Sequence, residues 1–146
     1  MSAAPQHDGW ERAARAVFEG APFVTHLGTR LDALAPGRVD ASLAVEPRHL
    51  QQSGVVHAGV MATLADHAAG TAAITLAPAG YGVVSIEFKV NLLRGATGPR
   101  LRCVAEVLRP GRSVTVVEAW VYDQRDGREA LASKATVTLA LIAPSP

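Results

Sequence analysis

Apolar residues recur at Trp10, Ala13, Ala14, Val17 and Phe18, the i, i+3, i+4, i+7, i+8 spacing of a short amphipathic helix over residues 10–19. Gly20-Ala21-Pro22 stops it. Two short strand-like runs, 29–34 and 39–45, flank Ala35-Pro36-Gly37-Arg38, a turn composition. Residues 47–56 are polar and carry no period, which predicts a loop. Residues 58–76 hold Ala, Met, Leu, Thr and Ile without an internal proline, and Pro78 lies just beyond. That predicts a helix of about five turns. It is apolar nearly all round, and such a helix must be surrounded by protein. Beyond it the period becomes two: Val84, Ile86, Phe88, Val90 and Leu92 alternate with Ser85, Glu87, Lys89 and Asn91. The alternation puts Ser85 on the face of Glu87 and Lys89. Further strands are predicted at 101–108, 113–122 and 130–142, separated by Arg109-Pro110-Gly111-Arg112 and by a turn holding Asp126-Gly127. Four successive strands on short turns predict antiparallel neighbours. The long helix must then lie across the concave face of a curved antiparallel sheet, an α+β architecture with a short helix in front.

Composition narrows the possibilities. The 146 residues suffice for one domain, expected over 10–146 behind a flexible start at 1–9. Charged residues make up 18% of the chain, below the usual quarter, which predicts that part of the surface is a subunit interface. A net charge of +1 removes the electrostatic case for nucleic acid or a membrane surface as a partner. Cys103, the single cysteine, excludes an intrachain disulfide and reads as a small core residue. No basic, apolar leader opens the chain and no apolar run is long enough for a transmembrane helix, so a cytoplasmic protein is expected.

Between His49 and Ile86 only Asp66 carries a formal charge, and it falls in the middle of the apolar helix. A carboxylate there must pair, protonate or work. It either reaches solvent or caps a neighbour, or it is catalytic, and its neighbours favour catalysis. His57 falls just before the helix, so Ala58 and Gly59 occupy the first turn, where backbone N–H groups lack intrahelical acceptors and form a ready oxyanion hole. Gly59 is expected to let a ligand approach the backbone. Ala58 and Asp66 are eight residues apart, about 12 Å along one helix. Both would have to lie within roughly 3 Å of one carbonyl. One chain cannot bring them together, so a shared site needs Ala58 from one subunit and Asp66 from an antiparallel helix of another.

The segment Gln51-(x)5-His57-Ala58-Gly59-(x)6-Asp66 resembles the signature of hotdog-fold acyl-CoA thioesterases of the phenylacetate-pathway (PaaI-like) type. Residues 83–94 look like the strand that follows it, and the likeness runs in element order over about residues 25–142. It implies that Asp66 is general base or nucleophile and that the Ala58 N–H and the Gln51 amide polarise the thioester carbonyl. It also implies that His57 lies near the leaving sulfur and that Ser85 orients water. The family usually has glycine where Ala58 stands; the methyl bears on acyl preference. Gly59, Asn91, Arg94, Arg109 and Arg112 complete the expected substrate contacts, the arginines as holders of CoA phosphates. No metal or cofactor is expected, since CoA is part of the substrate, and His67 beside Asp66 lacks a third ligand at a useful spacing. His26 and His49 read as loop histidines. The expected assembly is a homodimer with shared sites, pairing into a tetramer. A non-catalytic hotdog protein binding acyl-CoA or a small aromatic ligand is the alternative; a hotdog dehydratase would want its own His and acid pair, which is not seen.

Overall fold

The computed structural model describes residues 3–145; residues 1, 2 and 146, the ends of the expected flexible start and of the expected domain, lie outside the described residues. Helices α1 (Trp10–Gly20) and α2 (Pro22–Leu27) precede strands β1 (Thr29–Ala35) and β2 (Arg38–Ala44). A 3-10 turn, Pro47–His49, leads to the long helix α3 (Ala58–Ile74). Strands β3 (Gly82–Leu92), β4 (Arg100–Arg109), β5 (Val114–Arg125) and β6 (Arg128–Ile142) complete the chain. All pairings are antiparallel, in one sheet of order β1-β2-β4-β5-β6-β3 with α3 against its inner face.

Most predicted elements are present, within one to three residues at their ends. Helix α2 is an addition. Six residues are too few to show a helical period, but Pro22 starts it without loss of a useful N–H and Gly28 ends it at φ 89°. The region expected to be plain loop holds the 3-10 turn and a bridge between Leu50 and Val56. Asp126 and Gly127 both have positive φ, 50° and 73°, as a two-residue hairpin turn requires.

The expected pairing of β3 with β4 is wrong. β3 pairs with β6 and lies at the sheet edge, three strands away from β4. The chain crosses between them on residues 93–99, which are held by polar contacts in place of a tight turn. Leu93 and Arg94 donate to the Ala132 carbonyl, Ala96 accepts from Val56 N–H (2.9 Å), and the Asp123 carboxylate takes the N–H groups of Thr97 and Gly98.

A second correction concerns Ser85. A β-bulge between Ser85 and Glu87 changes the phase of β3, so Ser85 pairs with Leu139 while Glu87 pairs with the next residue of β6, Thr138. Directly opposed residues point to one side. Leu139 is buried, so Ser85 faces α3, while Glu87 and Lys89 face outward.

Small side chains let helix and sheet approach. Ala65, Ala68 and Ala72 of α3 share one core with Ala41, Ala105, Ala119 and Ala135 of the strands and with Leu64, Leu101 and Leu139. Every residue from Ala68 to Ala77 is buried, but Gly59, Ala62, Thr63 and Asp66 form a stripe that one chain leaves partly open. The adjoining edge strand β3 leaves Val84, Ile86, Phe88 and Leu92 about half exposed. Before α1, the Gln6 amide donates to the Leu76 carbonyl (2.7 Å).

A Cβ on Gly98 would overlap the Gln124 carbonyl oxygen and the Asp123 carboxylate, so the crossing loop demands glycine there. Gly98→Ala is expected to cost about 1–3 kcal/mol, the usual range for forced overpacking. Urea unfolding checks it; an unchanged midpoint would show that the loop shifts freely.

Candidate active site

At the N-terminus of α3, His57 is the N-cap. Its Nδ1 accepts the Gly59 N–H (2.8 Å) and its carbonyl accepts the Val60 N–H (2.9 Å). Of the first three amides of the helix, the Ala58 N–H is the one left without an acceptor among the described residues. The N–H at Nε2 of His57 follows from the use of Nδ1 as acceptor. Gly59 therefore serves the histidine: a Cβ there would sit 3.0 Å from Nδ1. The imidazole makes one close approach to its backbone, and Gly59 also borders the space beside Asp66.

Gln51, His57, Ala58, Met61, Leu92 and Arg94 line a groove of about 470 Å³. The Gln51 amide is turned onto its own loop, with Oε1 accepting from Ser53 N–H and Nε2 donating to Ser53 Oγ, both at 2.5 Å. Arg94 and Gly95 also border a cleft of about 600 Å³ that contains Arg125 and Arg128, two arginines the sequence reading did not single out.

Asp66 lies two turns further along α3. The Ser85 hydroxyl donates to its Oδ1 (2.7 Å), a contact made possible by the bulge in β3. The carboxylate borders a second groove, also about 470 Å³, walled by Phe23, Ala62, Thr63, His67 and Phe88. Among the described residues none lines both grooves. Phe23 comes from α2, and no sequence signal marked it. Phe88 belongs with Ser85 on the inner face because the bulge separates their phase from that of Glu87.

Several expected contacts are elsewhere. Asn91 pairs with Lys134, whose ammonium meets Glu118 on the outer face, so Asn91 points away from both grooves. Arg109 and Arg112 flank the β4–β5 turn at the Gly82 end of the sheet, about 30 Å of strand from the Leu92 end where Ala58 lies. His67 is tied by Nε2 to the Phe18 carbonyl (2.9 Å) and its ring lies 4.6 Å from that of Phe18. His49 is buried, and His26 offers its carbonyl to Arg48. Cys103 is fully buried, and burial pushes its thiol well above the usual range, which leaves it an inert core residue. Among the described residues no three His, Cys, Asp or Glu side chains gather as a metal site, and no helix is long and apolar enough to cross a membrane.

The profile of the thioesterase superfamily matches residues 53–130, more than half of the chain and both grooves' parts of α3. The chain belongs to the thioesterase superfamily. This thioesterase superimposes with a TM-score of 0.90 on the crystal structure of a thioesterase family protein from Silicibacter pomeroyi, 39% identical, over 92% of this chain and 99% of that one. It is 27% identical to the 1,4-dihydroxy-2-naphthoyl-CoA hydrolase of Escherichia coli, over 89% of this chain and 98% of that protein. It is 28% identical to the proofreading thioesterase EntH of Cronobacter turicensis, over 73% of this chain and 77% of that protein. The helix wrapped by an antiparallel sheet is the hotdog fold, and the protein is a thioester hydrolase.

The His57 cap gives a direct test that needs no substrate. His57→Ala is expected to cost about 1 kcal/mol, the weight of a lost N-cap. Thermal unfolding measures it, and an unchanged melting point would show that the ring does not hold the helix end.

Proposed function

We propose that this thioesterase hydrolyses acyl- or aryl-CoA thioesters at composite sites, each built from Asp66 of one subunit and the Ala58 N–H of another. The separation of the two grooves supports this reading: the free helix-terminal donor and the carboxylate open onto different surfaces of one chain. An open edge strand with Val84, Ile86, Phe88 and Leu92 exposed is a template for pairing with a second copy. Antiparallel pairing of two β3 strands sets the two α3 helices side by side in opposite directions. The N-terminus of one then meets the Asp66 stripe of the other. A CoA thioester is favoured as substrate because the related Escherichia coli enzyme is named as a CoA-thioester hydrolase.

In this scheme the thioester carbonyl points at the Ala58 N–H, where negative charge develops during attack. Ser85 occupies Asp66 Oδ1 and leaves Oδ2 to act. Asp66 either takes a proton from water as the new C–O bond forms or attacks the carbonyl itself, followed by water. In the first route the C–S bond breaks and the proton taken from water passes to the CoA thiolate. In the second the thiolate leaves as an Asp66–acyl anhydride forms, and the water that cleaves the anhydride restores the Asp66 carboxylate and supplies the thiol proton. His57, with its proton at Nε2, and Gln51, once turned from Ser53, stand beside Ala58 to assist the leaving sulfur and the carbonyl. In this reading Arg94, which lines the Ala58 groove, meets a CoA phosphate. The Ala58 methyl narrows the path that the acyl group takes past the donor.

Asp66→Asn is expected to lower kcat by about 10²-fold or more, read as free-thiol release from a panel of CoA thioesters, with the fold intact. Unchanged kcat would sink the assignment. Ala58→Pro keeps the first helical position but deletes its N–H, and is expected to cost about 10²–10³ in kcat. Co-expressed, the two variants form mixed dimers in which one site collects both lesions and the other neither. Random pairing makes half the dimers mixed, each with one sound site of two, so about a quarter of wild-type activity should return. Activity no higher than that of the parents, with mixing confirmed by mass, would rule out sites shared in this way.

A further inference from the structure

His49 is fully enclosed, and the chemistry described above makes no use of it. Its Nδ1 accepts the Glu46 N–H (2.9 Å) and its Nε2 donates to the Leu27 carbonyl (2.8 Å). A donor on one edge and an acceptor on the other assign the neutral tautomer protonated at Nε2. The His49 carbonyl in turn accepts the His57 N–H (2.8 Å). Within the 3-10 turn Pro47–His49 the imidazole takes the part that Glu or Gln plays in an ordinary capping box. A glutamate could accept from Glu46 but would have no proton for Leu27.

The groups joined in this way belong to different working parts. Leu27 ends α2, which sets Phe23 and Val24 against the Asp66 groove. His57 immediately precedes Ala58 in the other groove. Arg48 reaches the carbonyls of His26 and Leu27 as well, but its side chain is 42% exposed and water competes for those bonds. The ring itself is fully buried, and losing it would leave the Leu27 carbonyl with only the long Arg48 contact and the Glu46 N–H without its acceptor.

We propose that His49 is a positioning residue that locks the acyl-side wall carried by α2 to the oxyanion loop at His57 and Ala58. This rests on the composite-site reading for the roles of the two grooves. Each edge of the ring has its own task. Nε2 holds α2 in place, and Nδ1 shapes the turn whose carbonyl holds the His57 N–H beside the Ala58 donor.

Two substitutions separate the tasks. His49→Asn keeps an acceptor near the position of Nδ1 but cannot reach Leu27, whereas His49→Leu keeps neither bond. His49→Asn is expected to raise KM for a bulky aryl-CoA by about fivefold, the weight of one ordinary hydrogen bond, with kcat and acetyl-CoA turnover unchanged. His49→Leu is expected to show the same rise in KM and, in addition, to lower kcat for both substrates by a similar factor. Phe23→Ala added to His49→Asn should raise KM no further, since the wall is already released. Parallel changes of kcat and KM in the two variants, or additive effects with Phe23→Ala, would overturn the proposal. Should the His49 variants fail to fold, Val24→Ala carries the test by loosening the seat of α2. Amide exchange should then quicken at His57 as well as in α2; faster exchange in α2 with His57 unchanged would overturn the lock. A failed subunit complementation in the mixed dimers sinks the composite site separately, because the His49 measurements use homogeneous protein.

Discussion

A helix with no polar face can be stable in water only if something covers it on every side, and this chain covers α3 incompletely. The sheet takes one side and α1, through Phe18, another. From Ala68 onward the enclosure is complete, while the stripe through Gly59, Ala62, Thr63 and Asp66 stays open beside the unpaired edge of β3. That open stripe is where the single charge of the central segment resides. The same deficiency accounts for an apolar surface that a second copy can bury and for a carboxylate that would otherwise be costly to place on such a helix.

Polar groups serve as fasteners around this core. Asp123 caps the crossing loop, the Thr75 hydroxyl receives the Gly37 N–H where the β1–β2 turn meets the end of α3, and the His57 ring closes the helix start. Much of the ion pairing lies on the outer face of the sheet. There Asp40 pairs with Arg38 and Arg102, Arg102 reaches Glu129, and Lys134 meets Glu118. Exposed pairs of this kind are worth about 0–1 kcal/mol each, so they keep the outer face hydrated more than they hold the fold. The inner face is chiefly alanine, valine and leucine, and there Ser85 donates to Asp66.

The division between local and tertiary information runs through the site itself. The elements, the N-terminus of α3, the isolation of Asp66 and the distance from Ala58 follow from residue order, because helical rise, capping and periodicity are local properties. The same distance already required two subunits for a shared site. Sequence by itself could not show that β3 joins β6, since strand neighbours are chosen by which pairing closes the sheet over the helix. Nor could it show the bulge, a one-residue slip in hydrogen bonding that brings Ser85 onto the inner face that Phe88 shares. Alternation misassigned Ser85 for that reason, and it offered no means of excluding Asn91, Arg109 and Arg112, whose positions depend on where strand ends fall in space. Helix α2 was too short to carry a period, yet it supplies Phe23 to the Asp66 groove and Leu27 to His49. The chemistry-bearing residues of α3 were legible because one rigid helix spaces them; the walls and supports were not, because packing between distant segments creates them.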